Sequence, residues 1–142
     1  MKAFKTKRFD EAAKAAERIL VLDPGNPEAL RVRYDSYVGL GDNDKIFEAL
    51  VALGAVDQPF VTSTLLESAG KLYNAGDTAN AAKMFSKVLE VDPKHAESHY
   101  YLGLIAVQKG DNATAKQHLQ KFIELAPDHK DAGTAKEMMA YL

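Results

Sequence analysis

The sequence predicts an all-α protein built from repeated helical hairpins, and three observations carry that reading. Three similar phrases each lead an apolar helix face into a proline: "LVLDPGNPEAL" (residues 20–30), "VLEVDPKHAES" (88–98) and "IELAPDHKDA" (123–132). Between them the markers keep a fixed period. Pro93 and Pro127 lie 34 residues apart, as do Gly76-Asp77 and Gly110-Asp111, and Ala81 and Ala115. Apolar residues also recur at helical spacing between the markers, with Ala81, Ala82, Phe85, Val88 and Leu89 on one face.

Each period divides into two helices for local reasons. Gly76 and Gly110 suit the positive φ that ends a first helix. Asp77 and Asp111 follow, placed to cap the second helix by accepting backbone N–H bonds. That second helix stops at Asp92-Pro93, because proline disfavours helical geometry in the residue before it. The expected units are a partial repeat at 1–26, repeats at 27–61, 62–95 and 96–128, and a closing helix at 129–142. One extra residue separates the early markers, and the segment "GAVDQPF" (54–60) is the expected place for it.

A helix–turn–helix unit of this length and these small residues resembles the tetratricopeptide repeat. The last copy carries Leu102-Gly103, Ala115, Leu119, Phe122 and Pro127 at the pattern positions. The middle copy carries Leu65, Ser68-Ala69, Leu72, Ala81, Phe85, Val88 and Pro93. The first complete copy matches at Leu30 and Tyr37, but has Arg33-Tyr34 in place of Leu-Gly, Ile46 for alanine and Gln58 for proline. The resemblance implies a right-handed superhelical solenoid. Its bacterial style leaves cytoplasm and periplasm equally open.

Upstream, "RFDEAAKAAERILVLDP" matches a second helix, with Ala12 and Pro24 at their pattern positions. Counting back places Met1 inside a first helix, so the expectation is a piece of a longer protein. Its uncovered apolar face is expected to find a second copy of the chain through residues 1–20. At the other end, "HKDAGTAKEMMAYL" reads as a lone helix with Ala135, Met138, Met139 and Leu142 on one side, its polar side capping the array.

Composition narrows the function. A net charge of −2 and a pI near 6.1 supply no basic field for a nucleic acid backbone. Lys2, Lys5, Lys7 and Arg8 are answered at once by Asp10 and Glu11. The chain has no cysteine, which removes disulfides, thiolate nucleophiles and zinc–thiolate sites together. The longest apolar run, Leu104 to Val107, is far short of a membrane span. No phosphate loop, nucleophile elbow or paired catalytic carboxylate is present, and no cofactor is expected.

Four histidines were the remaining chemical candidates. His95 and His99 share helical spacing, but one falls at a helix start and the other at a packing position, with no third ligand at fixed spacing. His118 is expected on an exposed helix side and His129 in a solvated loop. Isolated Gly39, Gly41, Gly76 and Gly110 are read as helix-end residues.

What remains is a surface. The resemblance implies that first helices line a concave groove holding a peptide or protein partner. Carried over by position, the groove comprises Arg31 and Asp35, then Leu66, Tyr73 and Asn74, then Glu97, Tyr100, Tyr101, Leu104 and Gln108. The three tyrosines serve as anchors or pack between repeats. The alternative function is a self-assembling structural protein that forms homo-oligomers. Arg31, Asp35, Glu67, Glu97 and Tyr101 stand where related co-chaperones place the cations and amides that grip a carboxylate-ended peptide. Three acids there would repel it.

Overall fold

In the computed structural model, residues 2–142 are described, and among them every element is helical. Eight helices follow in order: α1 Lys2–Leu22, α2 Pro27–Leu40, α3 Asn43–Leu53, α4 Gln58–Asn74, α5 Thr78–Val91, α6 Ala96–Lys109, α7 Asn112–Leu125 and α8 Ala132–Ala140. The chain divides into two compact units, Met1–Val61 and Thr62–Leu142.

The turns form as their residues dictate. Gly41, Gly76 and Gly110 adopt φ of +72°, +82° and +76°, a left-handed geometry that costs glycine least. The aspartate after each glycine caps the next helix. Asp42, Asp77 and Asp111 accept from the backbone N–H of Lys45, Asn80 and Thr114 at 3.2, 3.3 and 3.2 Å. Asn26 does the same for α2, accepting from Ala29 N at 2.9 Å ahead of Pro27.

Two element boundaries depart from the sequence reading. α4 begins at Gln58 rather than at residue 62, because Asp57 accepts the Phe60 N–H at 3.3 Å and Pro59 is tolerated in a first turn. More importantly, α1 is one unbroken helix. The expected end of a first helix, turn and second helix are absent from Lys2–Leu22. Where later repeats have Gly-Asp, this stretch has Lys7-Arg8, which neither reverses nor caps a helix. Thr6 Oγ1 donates back to Lys2 O at 3.0 Å, and Asp10 pairs with Lys14 at 2.7 Å across one turn. Met1 itself lies outside the described residues.

In the first unit, α1 contributes Ala13, Ala16 and Leu20 to the core, α2 Ala29, Leu30 and Tyr37, and α3 Ala49, Leu50 and Leu53. The Tyr37 hydroxyl donates to Glu17 of α1, and burial with that bond pushes its pKa up to about 12. Gly39 is not a capping residue. It lies inside α2, and a Cβ there would stand 2.6 Å from the Phe9 ring. The glycine makes room for α1.

In the second unit, Phe85 and Phe122 are fully buried, each worth about 1.5–3 kcal/mol on burial. Phe85 sits with Ala69, Ala81, Leu102 and Ile105, whereas Phe122 sits with Leu119, Ala132 and Ala135. Gly103 lets α6 and α7 close together, since a Cβ there would meet Leu119 Cδ2 at 2.7 Å. Met138, Met139 and Leu142 pack against the last cluster, as the spacing in α8 predicts.

Candidate functional site

In the first unit, Arg31 and Asp35 stand one turn apart on α2. Arg31 Nε donates to Asp35 Oδ1 at 3.2 Å, and its guanidinium lies 4.2 Å over the Phe60 ring. The cation is thus committed on two sides. Tyr34 turns its ring edge-on to the same Phe60 at 5.7 Å.

In the second unit, the structure brings the tyrosines into a continuous series of rings. Tyr101 stacks on buried Phe85, with centroids 4.9 Å apart and planes 4° from parallel. Tyr73 meets Tyr101 edge-on at 5.1 Å. Tyr100 touches Tyr101 at 5.9 Å and reaches Phe122 at 4.8 Å on its other side. All three tyrosines are therefore half-buried between helices. Burial, with Asp131 behind it, holds the Tyr100 hydroxyl above its ordinary pKa.

Leu66 packs beside Tyr73 and Tyr101 on the Phe85 cluster. Leu104 is half-buried, whereas Asn74 and Gln108 are exposed at the ends of α4 and α6. Glu97 remains exposed, with Oε1 3.6 Å from His129 Nε2.

The histidines differ from their sequence reading. His95 Nδ1 accepts the Ser98 N–H at 3.2 Å and caps α6. His118 is half-buried rather than solvated, with Nδ1 3.0 Å from His99 Nδ1. His99 Nε2 lies 3.2 Å from Pro93 O, an acceptor only, so Nε2 carries the proton and Nδ1 accepts from His118. Burial lowers both pKa values. His129 also departs from a solvated loop position: its ring stands edge-on to Phe122 at 5.1 Å, and Nδ1 accepts from Asp131 N at 3.1 Å. Among the described residues no three potential metal ligands converge.

One feature of the first unit has no sequence forecast. A depression of about 450 Å³ between α1 and α2 is lined by Lys5, Arg8, Phe9, Ala12, Val32, Asp35 and Ser36. A second, of about 390 Å³, shares Ala12 and Val32 and continues past Ala15, Ala16 and Ile19 to Asn26, Glu28 and Ala29. The signal was present in the spacing of residues 5, 8, 12, 15 and 19, an alternating three-four stripe along one helix face.

Paired helices of constant period, joined by Gly-Asp turns and proline-marked joints, define a helical-repeat protein. The tetratricopeptide repeat family profile matches residues 69–130. A TPR repeat-containing protein of Pseudomonas aeruginosa, PA0015, is 35% identical over 74 residues, which are 51% of this chain and 70% of that protein. The chain belongs to the tetratricopeptide repeat family. The "Probable biofilm formation methyltransferase WspC" of Pseudomonas putida is 34% identical over 70 residues, 49% of this chain and only 16% of that protein. The crystal structure of MamA superposes with a TM-score of 0.49 at 20% identity, over 99% of this chain and 85% of that one. Proteins of this fold serve in general as protein-interaction scaffolds. Among the described residues, no helix is long and apolar enough to cross a membrane.

Proposed function

We propose that the chain is a non-catalytic module that holds an extended segment of a partner protein against its first-helix surfaces. The observation that supports this most is Tyr101, stacked on buried Phe85 and braced by Tyr73. A half-exposed ring fixed in this way gives a partner aromatic contact with little side-chain entropy left to lose. Leu104 beside it, and Asn74 and Gln108 with free amides, supply apolar and polar contacts of the kind such surfaces use. Arg31, Asp35, Leu66, Glu97 and Tyr100 complete the proposed surface.

The test is a peptide array read with the intact chain and with Tyr101→Ala and Asn74→Ala. Selected peptides should lose about tenfold or more in affinity for Tyr101→Ala while helicity is unchanged. Peptides that bind both variants as well as the parent would remove this surface from the reading.

The exposed Phe4 and Ile19 of α1 favour a second reading, association of two copies through residues 2–20. Sedimentation at several concentrations distinguishes it, since a monomer throughout would end it.

A further inference from the structure

The depression between α1 and α2 has a counterpart inside the same molecule, and that counterpart is filled. Residues 115, 119, 122, 132 and 135 stand at a constant offset of 103 from Ala12, Ala16, Ile19, Ala29 and Val32. In the second unit those residues, on α7 and α8, receive a single helix. α6 lays Ala96, Tyr100 and Val107 against them, with Gly103 pressed to Leu119. In the first unit the equivalent walls enclose open space along Ala12, Ala15, Ala16, Ile19 and Val32.

The charges at the two ends give the groove a direction. Lys5 and Arg8 stand at one end and Glu28 at the other. Asp35, also at the basic end, is already paired with Arg31. The ion pairs printed along α1, Lys7 with Glu11 and Asp10 with Lys14, engage neither Lys5 nor Arg8. A helix running antiparallel to α1, as α6 runs to α7, would bring its C-terminal carbonyls to Lys5 and Arg8 and its N-terminus to Glu28. Both ends then oppose the helix dipole with the favourable sign.

We infer that this groove is a second docking site, separate from the tyrosine surface, for one amphipathic helix of another protein lying antiparallel to α1. Its buried stripe has a small residue flanked by larger apolar ones, spaced as Ala96, Tyr100, Gly103 and Val107 are. The same face of a second copy fits poorly, because it is itself a groove and two grooves leave a void between them. The alanines of α1 permit close approach, and acidic side chains in the occupant's last turn add to the match at Lys5 and Arg8.

The probe is a capped peptide of residues 96–109, with a Lys109→Glu form beside it, titrated into the isotope-labelled chain. Saturable shifts are expected along α1 and α2, tighter for the Lys109→Glu peptide at low salt. Ala15→Lys, at an exposed position, should weaken binding by about tenfold or more without loss of helicity. Shifts confined to Tyr73, Tyr101 and Leu104, the absence of shifts, or indifference to Ala15→Lys would overturn the assignment. So would dimerisation of the chain alone, if Ala15→Lys abolishes it and no peptide binds. Binding that vanishes when the chain is extended upstream in its reading frame gives the groove to the protein's own preceding segment, and likewise overturns it.

Discussion

His99 and His118 share a hydrogen bond between their Nδ1 atoms, 3.0 Å apart, linking α6 to α7. The bond needs one bare nitrogen, so protonating both rings sets two N–H groups against each other. Lys121 and His95 add positive charge near His99, and Pro93 O offsets part of it. Both pKa values are lowered on folding. The unfolded chain therefore binds more protons, and stability falls as pH drops from about 6.5 through the lowered values. Thermal melts from pH 7.5 to 5.5 should show a falling midpoint. His118→Gln should flatten that dependence.

Tyr37 titrates in the opposite direction. Its pKa of about 12 makes its contribution complete below the ordinary value near 10, and lost as pH rises through 12. With six tyrosines and no tryptophan or cysteine, tyrosinate absorbance reads each ionisation cleanly. One tyrosine should ionise last, near pH 12 if the fold persists, and Tyr37→Phe should remove that step.

Two helical glycines should respond differently to alanine. At Gly103 the new methyl meets Leu119, which is wholly buried and has nowhere to move, so Gly103→Ala should cost about 1–3 kcal/mol. At Gly39 the neighbour is the half-exposed Phe9 ring, which can swing aside. The helix-propensity gain of about 1 kcal/mol offsets much of the clash there. Denaturant melts of both variants test the ranking, and a Phe9→Leu background should make Gly39→Ala stabilising.

The charge pattern excludes one class of ligand. Arg31 is held by Asp35 and Phe60, leaving Glu67 and Glu97 exposed among the proposed surface residues. A peptide ending in Glu-Glu-Val-Asp should show no micromolar binding by calorimetry.

Legibility followed the range of the interaction. Gly76-Asp77, Gly110-Asp111 and Pro93 act within a few residues of themselves, so their period exposed the hairpins directly. The continuity of α1 was hidden because pattern matching at Ala12 and Pro24 outweighed the missing turn at Lys7-Arg8. His99 and His118 are 19 residues apart, and only the α6–α7 register brings them together. The tyrosines were found by position, but how much of each ring is consumed by Phe85 and Phe122 depends on side-chain packing.

The series Tyr73, Tyr101, Tyr100, Phe122 and His129 runs ring to ring through the second unit. Such closely spaced chromophores couple optically and sit in a fixed chiral arrangement, which gives tyrosine bands a strong near-ultraviolet circular dichroism. No tryptophan obscures them. The protein therefore carries its own label: a ligand that shifts the Tyr101 ring should register in that signal without a dye, and one seated between α1 and α2 should leave it unchanged.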